Sequence, residues 1–269
     1  MNAPVPRGVP YLHRSLPGSA RGPLAFAHRG FAPDGAENTM AAFRAAVELG
    51  FRYLELDVRT SRDGVLMVFH DETLERTTDG SGRLGDHTAA ELGAFRVAGT
   101  EPIPTFEELL AAWPDVHLNV DLKDAAGAEP MARLIEQYGA RDRVLVASFS
   151  DARRRAVQRR VPGPLAASPG APLVAAFTLL SALGLQRLLR PWLRGVVALQ
   201  VPERSGRLPL VTPRFLAHAH SEGLHVHVWV VDEPGDMRRL IDLGVDGIMT
   251  DRADLLAGVL AERGAWPQR

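Results

Sequence analysis

Glu55 and Asp57 lie two residues apart in the apolar run Tyr53–Arg59. On a β-strand that spacing puts both carboxylates on one face, roughly 6.6 Å apart along the chain. Two carboxylates directed into one space repel unless one is protonated or a cation lies between them. The chain has no cysteine, so any metal must be held by oxygen or imidazole, and one Mg2+ or Ca2+ suits an oxygen-only site. Asp121, in the run His117–Lys123, offers a third oxygen ligand. The competing reading is a carboxylate that points to solvent or pairs with an arginine.

His28 and His70 end two further apolar runs and suit acid–base work near neutral pH, although either alone reads more readily as a structural histidine. Arg29 and Lys123 bring cations close to the carboxylates and are candidates to neutralise a bound phosphate, one as a planar fork and the other as a point charge. Lys123 is the single lysine among 31 basic residues. A chain that otherwise uses arginine throughout has kept one ammonium, two residues beyond a candidate metal ligand.

The elements that must position these groups alternate between short apolar runs and helical patterns, the signature of βα units. The strand candidates are Leu24–Arg29, Tyr53–Arg59, Val65–His70, His117–Lys123, Arg143–Ser148, Leu165–Ser168, Val196–Val201, His225–Val231 and Val245–Met249. Helical patterns between them include Glu37–Leu49 and Pro172–Leu189. Only the turn Thr60–Gly64 separates the second and third strands, whereas a parallel crossover needs about a dozen residues, so that pair must be an antiparallel hairpin. Eight strands then remain to run in parallel. The expected fold class is α/β, a (β/α)8 TIM barrel with a small insertion after the second barrel strand, and 269 residues suit its typical length of about 250. Residues 71–101 read as the inserted cap, 23–269 as the barrel domain, and 1–22 as a disordered or loosely docked extension.

Barrel enzymes carry their catalytic groups at the carboxyl ends of the strands. Read in order, those ends carry His28, Arg29, Glu55, Asp57, His70, Asp121, Lys123, Ser148 and Trp229. With 31 basic and 32 acidic residues the net charge is −1, which gives no overall field for nucleic acid. No segment reads as a membrane span. The first 22 residues lack the apolar core of a secretory signal, so a cytoplasmic location is the default expectation.

The ordered motifs His28-Arg29-Gly30, Glu37-Asn38-Thr39, Glu55-x-Asp57, Val68-Phe69-His70-Asp71, Asp121-x-Lys123, Val228–Asp232 and Gly244–Asp251 together resemble the glycerophosphodiester phosphodiesterase family, over about Leu24 to Leu256. Asp121 stands where most members carry Glu. The resemblance implies a metal-dependent hydrolysis of glycerophosphodiesters to sn-glycerol 3-phosphate and an alcohol. It makes His28 and His70 the acid–base pair, Glu55 and Asp57 metal ligands, Arg29 and Lys123 phosphate binders, and Trp229 a wall of the substrate pocket. The attacking oxygen is that of water, or of the neighbouring glycerol hydroxyl by way of a cyclic phosphate. The alternatives are a lysophospholipase D acting on lysophospholipids, a phospholipase C-like lyase that stops at the cyclic phosphate, and a barrel kept as a binding module.

Other signals carry plainer readings. His218-x-His220 and His225-x-His227 look like a rival imidazole site, but they fall at the stability face of the barrel and read as core or surface histidines. Asp251 reads as a helix N-cap. Gly30 and Gly35 serve phosphate approach or tight turning. The apolar stretch 171–193 is either the sixth barrel helix with its loop or a lid in peripheral contact with lipid.

Overall fold

The computed structural model describes residues 10–12 and 22–267. Eight parallel strands form the barrel: β1 (Leu24–His28), β2 (Tyr53–Thr60), β3 (His117–Leu122), β4 (Val144–Ala147), β5 (Ala166–Ala167), β6 (Ala198–Pro202), β7 (His225–Trp229) and β8 (Gly247–Thr250). Each pairs with its neighbours in chain order, and β8 returns to β1. A single parallel bridge, Ala167 to Val196, completes the circle between β5 and β6.

Side chains alternate along each strand, so every second residue points into the barrel. The inward set packs Phe26, Tyr53, Leu145, Ala166, Ala198 and Met249 against one another, while the outward set packs against the surrounding helices. At the following inward positions along β1, β2 and β3, the same alternation delivers polar groups. The register aligns His28 with Glu55 and Asp57 with Asp121.

The return strand Leu66–Val68 pairs antiparallel with β2, Val58 opposite Val68 and Thr60 opposite Leu66, as the five-residue turn requires. The amide of Phe69 donates to the Asp57 carbonyl, which brings His70 back to the level of the carboxylates. The insertion that follows holds a 3-10 turn (Leu84–Asp86), a short helix (Ala89–Ala94) and a two-strand ribbon (Arg96–Val97 with Glu101–Pro102). It has a small core of its own from Leu74, Leu84, Leu92 and Val97, set on Met67 and Phe69.

Two helix boundaries and the N-terminal extension differ most from the sequence expectation. The first helix starts at Met40, not Glu37, because Asn38 adopts φ 58° and Thr39 caps the helix by accepting from the Ala42 amide. The stretch expected as one helix over 172–189 ends at Ala182; Gly184 takes φ 75° and a separate 3-10 turn follows at Gln186–Leu189. Most of the extension 1–22 lies outside the described residues. Its segment Pro10–Leu12 is described, and there Tyr11 and Leu12 are buried in the amino-terminal mouth of the barrel instead of resting loosely on it. The Tyr11 ring meets Tyr53 and His117 edge-on, at 5.6 and 5.5 Å between centroids.

Candidate active site

A cavity of about 880 Å³ opens at the carboxyl ends of the strands. All eight site residues expected from the sequence line it: His28, Arg29, Glu55, Asp57, His70, Asp121, Lys123 and Trp229. Fold geometry achieves this: Glu55, Asp57 and Asp121 point inward from within their strands, and the other five sit at a strand end or one or two residues beyond it.

Asp57 is the most heavily partnered carboxylate. Lys123 Nζ lies 2.8 Å from its Oδ1, and Asn38 Nδ2 donates to its Oδ2 at 3.0 Å. Arg29 Nε also lies 3.0 Å from Oδ2, an ion pair without hydrogen-bond alignment. Burial would raise the pKa of Asp57, but the charges of Lys123 and then Arg29 outweigh it and hold the carboxyl below its ordinary range. Lys123 also donates to Asp121 Oδ2 at 2.7 Å. Burial works against its charge, yet Asp57 and Asp121 together keep the ammonium protonated.

Glu55 lies in the opposite balance. Its Oε2 accepts weakly from the Arg29 amide at 3.3 Å and sits 3.7 Å from His28 Nε2. Burial, then repulsion from Asp57, pushes its pKa up to about 7. The nearby cations His28, Lys123 and Arg29 offset this only in part. Asp121 Oδ1 is also buried, with no hydrogen-bond partner among the described residues. Glu55, whose charge its neighbours offset only in part, and the orphaned Asp121 oxygen, beside Asp57, supply the hard anionic donors that a divalent cation favours. Among the described residues no three acidic or imidazole groups already converge as a cage, and Lys123 Nζ contacts both Asp57 and Asp121. The donor chemistry therefore fits Mg2+ or Ca2+.

Both histidines are oriented through Nδ1. His28 Nδ1 lies 2.7 Å from Asp251 Oδ1, and His70 Nδ1 lies 2.5 Å from Asp71 Oδ1. Each ring therefore turns its Nε2 edge away from its carboxylate partner. Burial opposes charging His28, but Glu55 and Asp251 more than offset this and raise its pKa. Asp71 is held at about 2, burial notwithstanding, by Arg76 and His70. Arg76 from the inserted cap bridges Asp71 to Glu37, and Glu37 in turn accepts from Arg29 at 2.8 Å. Arg29 itself has φ 55°, and the next residue, Gly30, packs so close to Ala42 that an added Cβ would sit 2.7 Å from its backbone. The amides of Gly30 and Gly35 are both spent on turn hydrogen bonds, which settles their role as tight turning.

Sequence reasoning missed Asp251 and Arg76. Asp251 is not a cap: Arg252 holds the N-cap position of the last helix, and the Asp251 carboxylate faces His28. Its signal was its place at a strand end, which a capping role explained equally well. Arg76 carried no signal, being one of many arginines in an irregular segment. The rival histidines are structural, His227 fully buried and His220 bound to Asp246 at 2.7 Å.

The model of the glycerophosphoryl diester phosphodiesterase family matches residues 28–255, the span that runs from His28 past Asp251. The chain belongs to this family. It is 41% identical over 246 residues to the Mycobacterium tuberculosis protein described as probable glycerophosphodiester phosphodiesterase 2, covering 91% of this chain and 93% of that one. A glycerophosphodiester phosphodiesterase of Caldanaerobacter subterraneus is 32% identical over 90% of this chain and 99% of its own. A crystal structure of glycerophosphodiester phosphodiesterase from Agrobacterium tumefaciens superposes with a TM-score of 0.72 at 27% identity, over 87% of this chain and 98% of that one. This family member is a phosphoric diester hydrolase on a TIM barrel.

Proposed function

We propose that the protein hydrolyses glycerophosphodiesters to sn-glycerol 3-phosphate and an alcohol, with one divalent cation and with His28 and His70 as the acid–base pair. The observation that carries the reading is the pair of histidines lining one cavity, each turned by a carboxylate on Nδ1, with Glu55, Asp57, Arg29 and Lys123 lining it too.

Arg29 and Lys123 bind the anionic diester and offset charge that grows on its non-bridging oxygens as phosphorus is attacked. Glu55, Asp57 and Asp121 would hold the cation, which supplies further charge neutralisation at those oxygens. One histidine takes the proton of the attacking oxygen through Nε2. The P–O bond to the alcohol breaks, and the other histidine protonates the departing oxygen, so that the pair ends with its proton moved from one ring to the other. Asp251 and Asp71 fix ring orientation and stabilise whichever imidazolium forms. Trp229 and Phe149, 6.2 Å apart and edge-on, wall the alcohol side.

The test is release of glycerol 3-phosphate from glycerophosphocholine, with EDTA, Mg2+ or Ca2+. Release that depends on the cation supports the reading; no release under any of these conditions would overturn it.

A further inference from the structure

The catalytic groups occupy one end of the cavity, and the other end is apolar. Helix Ala171–Ala182 lays Ala171, Val174, Ala175, Thr178, Leu179 and Ala182 along the cavity, a continuous stripe at helical spacing. Its opposite side buries Leu173 and Phe177, the latter edge-on to Phe215 at 5.7 Å. The helix is therefore apolar on both sides, and it walls the site as well as packing on the barrel.

The stripe does not stop at the cavity. Leu179 and Leu208 line it and are also more than half exposed at its mouth. Beyond them the chain exposes Leu183, Leu188 and Trp192, each again more than half open to solvent. Isolated exposed leucines are ordinary, but here the large exposed hydrophobic side chains of the described residues all fall within 149–230, and Phe149, Leu179, Leu208 and Val230 among them line this cavity. Charge is equally uneven. No Asp or Glu occurs from 152 to 202, and between 171 and 209 five arginines accompany one carboxylate, Glu203. Arg187 and Arg190 lean on Glu222, whereas Arg194, Arg204 and Arg207 have no carboxylate partner among the described residues. Exposed leucines and a tryptophan interspersed with arginines are the composition of a face that settles into an anionic lipid surface.

We propose that the rim formed by Leu179–Arg194 and the hairpin Arg204–Pro209 docks on an anionic phospholipid bilayer. The docking face does not rest on the reading of the cavity as a phosphodiester site.

The experiment is co-sedimentation of the full chain with vesicles of phosphatidylcholine alone and of phosphatidylcholine mixed with phosphatidylglycerol, alongside turnover of glycerophosphocholine. The wild type should pellet with the mixed vesicles and be released by salt, with a blue shift of tryptophan emission. Leu183→Glu with Leu188→Glu, and separately Arg194→Glu with Arg207→Glu, should each weaken that binding about tenfold or more while leaving turnover of the soluble diester unchanged. Absence of wild-type binding to mixed vesicles, or unchanged binding by both variants, would overturn the docking face. A leucine variant that turns a dimer into a monomer without altering vesicle binding would also overturn it, by assigning the face to a second copy. Vesicle binding without turnover of any diester would leave the docking face standing and sink the phosphodiesterase reading instead.

Discussion

His28 Nδ1 and Asp251 Oδ1 lie 2.7 Å apart although 223 residues separate them, because β8 closes the barrel onto β1 and sets their carboxyl ends side by side. Thr250 Oγ1 and the Asp251 amide both donate to Asp232 Oδ1, so the end of β8 is itself tied to the loop after β7. The seam of the barrel thus doubles as the support of a candidate catalytic histidine.

Asp251→Asn should lower kcat by as much as about 10⁴-fold, the loss seen when the carboxylate that orients an acid–base histidine becomes an amide. Asp251 raises the His28 pKa, so its neutralisation must lower it, and the limb of the kcat/KM profile set by His28 should move to lower pH. A structural defect would lower activity without moving that limb.

His28→Ala and His70→Ala should each reduce kcat by about 10²- to 10⁴-fold with circular dichroism unchanged. Near wild-type turnover in either variant would remove that residue from the acid–base pair.

Glu55→Gln separates metal binding from folding. The variant should bind Mg2+ or Ca2+ at least about tenfold more weakly by calorimetric titration, since a charged oxygen donor is lost. Metal-free, it should be more stable than wild type at pH 8. The raised pKa means that unfolding releases the Glu55 proton between about pH 4.5 and 7, so the wild type loses stability as pH rises through that window. Urea melts at pH 5 and pH 8 check the sign: the gain should be confined to the higher pH.

His227 imposes an acid limit on the fold. The ring is fully buried against Phe26, 4.8 Å between centroids, and neither nitrogen has a hydrogen-bond partner among the described residues. Burial, then the neighbouring His225, pushes its pKa down to about 3. The unfolded chain gains this proton below about pH 6.5 while the folded chain does not, so stability falls by roughly 1.4 kcal/mol per pH unit from there toward pH 3. His227→Leu should flatten that part of the stability profile in urea titrations at pH 4 and 6.

Loop length and period were enough to read much of this molecule. The five residues between β2 and its return strand left an antiparallel hairpin as the sole option, and period-2 alternation put Glu55 and Asp57 on one face. Both are local constraints, set by covalent geometry within a few residues, and so they survive in the linear sequence. Strand ends in a closed barrel share one rim, which is why the eight expected site residues meet around a single cavity.

Partner choice was decided only when the barrel closed. Nothing near Asp251 in sequence distinguishes a cap from a histidine's partner, and nothing near Arg76 points to Asp71 and Glu37. Lys123 could be read as a phosphate cation, but not as the ammonium shared by Asp57 and Asp121. Tyr11, from a segment read as a loose extension, closes the far end of the barrel because an aromatic ring there gains more by burial against Tyr53 and Phe26 than by staying in water. Such contacts arise from separations of tens to hundreds of residues. The sequence determined which groups are available and on which face each stands, and tertiary closure decided which of them touch and therefore what charge each one carries.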